Sequence, residues 1–509
     1  MSASDSESDG GEQGDQVRIS LKLANSVKDR SLEVPKEAIA VPADIGRKGL
    51  SAVLNHLLGR SVTKDKNDDD DDGSSDDDSD DDSDDEKLPP LSFEFIVQGT
   101  GNRLLRKGVE KEARQHGLSL EEAISITYFP ANNAPERQDD GETMPDWISC
   151  LSSCNISSGN FAFSGCYDGS IHAYKRQSDN SLAKLDFSIA GTAGPIKAMA
   201  TSQFDDKVLI ASASLDHSLN IHTFESTASK GKLRSYGQCE LGSLSSAFTS
   251  LDFSNTKTTN ILASGNGTGT ISLWNIRNDV GDVNTEADKK RQKDSEGKKN
   301  KSSSTDKNIS AIVHFENAHS QSVTEISWGN HNRIEGSDSG GGTHLISGSW
   351  DHSIKYWDVE KENRILTLNG ARVVSCLDTS YHSEGIVATG HPDCTIRLWD
   401  VRSNAKKQNA MLISDNNTFR PSHKLWISSV KWSQSNAYQL ASTSHDGNVK
   451  VWDIRSSNPL HTTRIFPKEE KGLALLWLPS TAPTDDETGS HNQVIYAGGT
   501  DCVIKRLEV

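Results

Sequence analysis

One short pattern recurs seven times in the second two thirds of the chain, and it limits the fold more than any other feature. It reads "SGCYDGSIHAY" around Asp168, "SASLDHSLNIH" around Asp216 and "SGNGTGTISLW" with Thr268 in the aspartate's place. It returns as "SGSWDHSIKYW" around Asp351, "TGHPDCTIRLW" around Asp393, "STSHDGNVKVW" around Asp446 and "AGGTDCVIKRL" around Asp501. The intervals are 48, 52, 83, 42, 53 and 55 residues. Each copy is an apolar strand, a small-residue turn holding an acid, and an alternating strand that ends near tryptophan. A further short strand precedes each, such as "VTEISWG" at 323–329. Taken alone, Ser347, Asp351, His352 and Ser353 look like parts of a hydrolase. A catalytic set occurs once, whereas this set occurs in most copies, so the repetition assigns it to structure.

A four-stranded unit with a period of about 40–50 residues cannot bury both of its faces alone, and stacking such units in a ring gives a β-propeller. The units resemble WD repeats: Trp357, Trp399 and Trp452 open the dipeptides of "YWD", "LWD" and "VWD". The resemblance implies that Asp168, Asp216, Asp351, Asp393, Asp446 and Asp501 are structural turn residues. It also implies that His319 in "NAHSQSV" and His423 in "PSHKLW" bond to Asp351 and Asp446. A buried carboxylate without such partners costs several kcal/mol. Thr268 in the third unit and Leu507 in the tryptophan's place of the seventh depart from the pattern. The expected fold class is therefore mainly β, with a seven-bladed WD-repeat propeller over 147–509. The chain ends just after the third strand of blade seven, so the missing outer strand is expected from the segment at 131–146, which would close the ring.

The 83-residue interval holds "VGDVNTEADKKRQKDSEGKKNKSSSTDKNI", residues 280–309. It is polar, rich in lysine and without apolar periodicity, and it reads as a disordered loop between blades three and four. Within it, 288–301 has the composition of a nuclear import signal, of a weak RNA contact, or of a solvated loop.

A smaller α+β domain is expected at 17–130. "VRISLKL", 17–23, alternates as a half-buried strand, and a second strand is expected around 31–34. Leu50, Val53, Leu54, Leu57 and Leu58 form one helical face, with Asp44 as N-cap and Gly59 just past the end. "LSFEFIV", a short helix and "AISITYF" at 123–129 complete the β-β-α-β-α-β order of a ubiquitin-like domain. An acidic insertion, 62–88, interrupts it. Residues 65–87 hold 15 acids and two lysines, which is −13 of the net charge of −18 and leaves −5 for everything else. Like charges with nothing apolar to bury do not fold. The acidic residues 1–16 read as disordered for the same reason.

No run of about 18 apolar residues is present, so no membrane partner is expected. The seven cysteines are scattered without metal-ligand spacing, which points to reduced thiols. "GNGTGT" at 265–270 lacks the lysine of a phosphate-binding loop and sits in a propeller turn. These readings leave no catalytic residue, no cofactor of the chain's own and no small-molecule substrate.

A ubiquitin-like domain ahead of seven WD repeats resembles the WD-repeat protein 12 family, with its Notchless-like N-terminal domain. "DWISCLSS" and "SWDHSIKYWDVEKENRILTLNGARVVSCLD" carry the likeness. The resemblance implies a non-catalytic factor of large-subunit (60S) ribosome biogenesis, in the nucleus, nucleolus and nucleoplasm. Its implied partners are Pescadillo, the block-of-proliferation propeller protein, the midasin AAA ATPase and the pre-60S particle, and its implied role is in maturation of the large-subunit rRNAs. A Notchless-type pre-60S factor, and a WD-repeat adaptor of another complex such as a ubiquitin ligase, are the alternatives.

In "QHGLSLEEAISITYF", 115–129, Ser119 and Glu122 fit a capping box, which leaves Glu121 free for solvent. The resemblance implies that Glu121, with Glu122 as the alternative, is offered in trans to a Mg²⁺ ion held by midasin's metal-ion-dependent adhesion site. In the acidic tract, Ser74, Ser75, Ser79 and Ser83 each precede acids and are candidate phosphorylation sites.

Overall fold

A computed structural model describes residues 16–25, 27, 29–60, 89–101, 103–131, 135–139, 143–190, 192–204, 207–227, 230–240, 246–254, 261–276, 307–329, 344–383, 385–401, 411–412, 422–456, 458–480 and 493–509. The N-terminal stretch 1–15, all of the expected acidic insertion with Ser74, Ser75, Ser79 and Ser83, and the import-signal candidate 288–301 lie outside these residues. The described chain divides into two compact units.

In the first unit, Val17, Ile19, Leu21 and Leu23 alternate inward along β1 (Gln16–Leu23). β1 pairs antiparallel with β2 (Ile39–Pro42) and parallel with β4 (Ile124–Pro130), while β3 (Phe93–Val97) pairs antiparallel with β4. The sheet order is β2-β1-β4-β3. Helix α1 (Arg47–Leu57) places Leu50 and Leu54 in one core with Phe93, Phe95, Ile126 and Tyr128. Burying a large apolar side chain contributes about 1.5–3 kcal/mol. The strand expected around 31–34 is instead a 3₁₀ turn, Arg30–Leu32, and the second strand follows at β2. Tyr128 holds this turn, donating its hydroxyl to Leu32 O at 2.8 Å and accepting from Val34 N at 3.1 Å. The N-cap of α1 is Gly46 and not Asp44.

The C-terminus of α1 follows the expected pattern. Gly59 has φ +69°, and Arg60 N–H reaches back to Asn55 O at 2.9 Å. Asn55, almost fully buried, also exchanges hydrogen bonds with Leu91 at 2.8 and 2.9 Å, and Arg60 donates to Pro89 O. The two feet of the acidic insertion are thus pinned together, and a long closed loop adds little entropic cost. All of β3 is buried, including Glu94, because Arg47 and Arg106 each pair with its carboxylate at 3.1 Å.

The second unit is the propeller. Its innermost strands are Ile148–Ile156, Ile196–Phe204, Phe248–Phe253, Val323–Trp328, Cys376–Thr379, Ile427–Trp432 and Gly472–Pro479. Each packs against the next, and the seventh packs against the first, so the ring closes. β5 (Glu136–Asp139) pairs antiparallel with the C-terminal strand Lys505–Glu508 and forms the outer strand of blade seven. The lysine-rich segment falls inside blade three and not between blades three and four. It lies between the third strand, Ile271–Asn275, and the outer strand, Lys307–Phe315, so 307–309 are strand and not loop. That outer strand pairs in parallel with Lys230–Glu240 of blade two, which joins the two blades into one eight-stranded sheet.

Candidate functional site

The repeated acids occupy the turns between the second and third strands of the blades. In blade four, Trp357 Nε1 donates to Ser347 Oγ at 2.9 Å, and Ser347 Oγ meets His319 Nε2 at 2.7 Å. His319 Nδ1 lies 2.9 Å from Asp351 Oδ2. Blade six repeats this with Trp452, Ser442, His423 and Asp446, at 2.8, 2.7 and 3.1 Å. Burial alone would raise Asp351, but hydrogen bonds from His319 and Ser353 outweigh it and hold the carboxyl well below its usual range. Asp446 is lowered in the same way through His423. Burial lowers both histidines, which therefore stay neutral and donate to the carboxylates.

The other blades solve the same turn differently. Asp168 accepts from Ser170 N and Oγ at 2.9 and 2.6 Å. Asp216 accepts from Ala193 N and Gly194 N, both at 3.1 Å. In blade three, Asn266 Oδ1 accepts from Thr268 N and Thr270 N, so the amide stands in for the missing aspartate. Blade five has no histidine in the loop before it. His391, from the turn itself, bonds Thr389 Oγ1, which in turn accepts from Trp399 Nε1. Asp393 there pairs with Arg397 at 2.7 Å and Arg372 at 3.4 Å. In blade seven, Lys505 pairs with Asp501 at 2.9 Å. Lys355, Arg397, Lys450 and Lys505 all stand four residues after the turn acid. This regularity is present in the sequence, in "SIKYW", "TIRLW", "NVKVW" and "VIKRL", and it marks the cation partner that reading by aspartate alone misses.

A channel of about 470 Å³ runs through the ring, lined by all seven inner strands. It holds a cluster that occurs once, where the sequence pattern shows only repeated polar sets. Asp252, Glu325 and Asp378 face Lys431, with Asp378 at 3.7 Å from its ammonium. Asp252 accepts from Trp328 N at 2.8 Å and Asp378 from Trp432 N at 2.7 Å, so each ties its blade to the next. Burial pushes Asp252 up to about 7 and also raises Glu325 and Asp378. Burial disfavours the Lys431 ammonium, but the carboxylates outweigh it and hold its pKa above the ordinary lysine value. Among the described residues no group of three or more metal-ligating side chains is placed to hold an ion. Burial also pushes the thiols of Cys150 to about 11 and of Cys154 to about 12, which leaves them protonated and unreactive.

In the small domain, helix α2 (Val109–Gln115) ends on Gly117, φ +69°, with Leu118 N–H bonded to Ala113 O at 2.9 Å. Leu118 and Leu120 pack against the core, which turns Ser119, Glu121 and Glu122 outward. No helix starts at Ser119: residues 120–122 form bends, and Ser119 Oγ accepts from Glu121 N at 3.2 Å. Six residues, 118–123, separate Gly117 from β4, and Leu118 and Leu120 among them are held against the core. Both glutamates are exposed and neither has an ion pair among the described residues.

Three family descriptions match the chain: "NLE (NUC135) domain" over 19–111, "Nucleolar protein 10-like, N-terminal domain" over 343–467, and "WD domain, G-beta repeat" over 311–358. The chain is also similar along most of its length to curated proteins named ribosome biogenesis protein WDR12 homolog. The protein from Oryza sativa subsp. japonica is 28% identical, with 94% of both chains covered. That from Arabidopsis thaliana is 27% identical over 90% of this chain and 92% of its own. That from Dictyostelium discoideum is 26% identical over 95% and 94%. The chain is thus similar, over most of its length, to ribosome biogenesis proteins of the WDR12 kind. At 94% coverage of this chain the similarity extends into both units.

Proposed function

We propose that this protein is a non-catalytic assembly factor of the large ribosomal subunit, working in the nucleus, nucleolus and nucleoplasm. The observation that carries this reading is the end-to-end similarity to WDR12 homologues over a small domain and a closed ring. The propeller is the anchor, in a complex with Pescadillo and the block-of-proliferation propeller protein on the pre-60S particle. The small domain is the handle. Its outward Glu121 supplies one carboxylate oxygen, at about 2.0–2.1 Å, to a Mg²⁺ held by midasin's adhesion site. Glu122, the next residue and also exposed, is the alternative ligand. The anchored Leu118 and Leu120 make the loop stiff enough to bear load, and ATP-driven movement of midasin then pulls the complex from the particle. The chain contributes binding and force transmission, and no bond is made or broken on it.

Gradient sedimentation of cell extracts tests this. The protein is expected to co-sediment with precursors of the large subunit, and the Glu121→Ala variant to accumulate on them because release fails. Absence of the wild-type protein from those fractions contradicts the assembly role. Normal release of the variant contradicts the role given to Glu121.

A further inference from the structure

One end of the ring carries exposed aromatic rings and lysines that neither the turn networks nor the channel uses. Three rungs of backbone place them together. Tyr167 N–H bonds Trp147 O, His445 N–H bonds Trp426 O, and Thr500 N–H bonds Lys471 O, each at 3.0 Å. These belong to blades one, six and seven, which are consecutive around the closed ring. Trp147 and Trp426 are 46% and 37% exposed. Their rings are held by Tyr167 at 5.5 Å and His445 at 5.9 Å between centroids. Beside Trp426, Leu425 is 52% exposed. Large apolar side chains held in fixed positions at a surface are the usual anchors of protein interfaces.

Exposed lysines stand beside these rings. Lys424 and Lys471 are exposed, and neither has an ion pair among the described residues. Burial lowers the imidazole of His445, and so does the ammonium of Lys471. Two of the neighbouring acids are occupied. Glu470 accepts from Thr500 Oγ1, and Asp146 accepts from Trp147 N at 2.8 Å. Glu469 is the exposed acid on the adjoining loop. Two preformed aromatic pairs thus flank unpaired lysines.

We propose that this end of blades six, seven and one docks an acidic segment of a partner protein, one whose carboxylates meet Lys424 and Lys471 while its apolar side chains seat against Trp426 and Trp147. Complementary charge sets encounter rate and partner choice, and the aromatic contacts supply the affinity. The proposal concerns the propeller alone and does not rest on the ribosomal reading.

The full-length protein is titrated by fluorescence anisotropy with a labelled dodecapeptide of Asp and Glu bearing Phe at every fourth position. Parallel titrations use the same peptide with Lys for each acid, the acidic peptide with Gly for each Phe, and an oligouridylate of equal length. Saturable binding of the first probe alone is expected. Lys471→Glu and Trp426→Ala are each expected to weaken it about tenfold. Trp350→Ala, an exposed tryptophan in blade four, is expected to leave it unchanged. Thermal melting of each variant confirms the fold. Equal binding of the lysine or glycine peptide, tighter binding of the oligouridylate, or wild-type affinity in both Lys471→Glu and Trp426→Ala would overturn the proposal.

Discussion

At the scale of single residues, the same side-chain types do opposite work according to their surroundings. His423 is enclosed, neutral and bonded at both ring nitrogens, to Ser442 and Asp446. Removing it with His423→Ala leaves a buried carboxylate short of a donor, and the expected loss is about 2–4 kcal/mol. Chemical denaturation checks this, with Lys424→Ala, an exposed neighbour, expected to change stability by less than about 0.5 kcal/mol. The structural role of Asp351 and Asp446 was legible in the sequence because it repeats. The substitute partners in blades three and five were not. Asn266 and His391 reach their turns only once the strand register is known, since neither stands where the repeat would put a partner. The outward direction of Glu121 was legible. The reason for it was not, because the loop is set by Gly117, Leu118 and Leu120 and not by a cap at Ser119.

At the scale of elements, the decisive join is between β5 and the C-terminal strand. Four residue pairs, Glu136–Glu508 through Asp139–Lys505, fasten a strand from before blade one to the end of blade seven. Deleting 135–139 exposes the edge of Lys505–Glu508 to solvent and removes the clasp on the ring. The expected outcome is a lower melting temperature and concentration-dependent self-association, read by calorimetry and light scattering. An unchanged melting temperature would show that the ring holds without its clasp. The need for such a strand could be inferred from the sequence, because the repeats stop one strand short. The parallel joint between blades two and three could not. It depends on where the chain re-enters at Lys307, after a long segment without periodicity.

At the scale of the whole molecule, buried charge sets the response to pH, and two groups act in opposite directions. His319, His423, Asp351 and Asp446 are all lowered in the fold. The unfolded chain binds their protons first, so stability is lost as pH falls, from below about 6.5 for the imidazoles and below about 4 for the carboxyls. Asp252 is raised to about 7, so the fold binds its proton more readily than the unfolded chain. Its contribution is present at low pH and fades as pH rises from about 4 through 7. Asp252→Asn keeps an oxygen for Trp328 N and removes this term. The variant is expected to gain stability over the wild type at pH 8 and to lose that advantage near pH 5, as followed by melting across the range. A constant difference at every pH would show that Asp252 does not titrate in the fold.

The proposed role depends on an outward loop that offers one carboxylate to a metal held by another protein. The direct measurement is capture of the full-length protein by midasin's adhesion domain, with Mg²⁺ and with chelator, for the wild type and for Glu121→Ala. Capture by the wild type that needs Mg²⁺ and is lost in the variant, at unchanged melting temperature, is the predicted result. Capture that survives chelation, or that Glu121→Ala leaves intact, would contradict it.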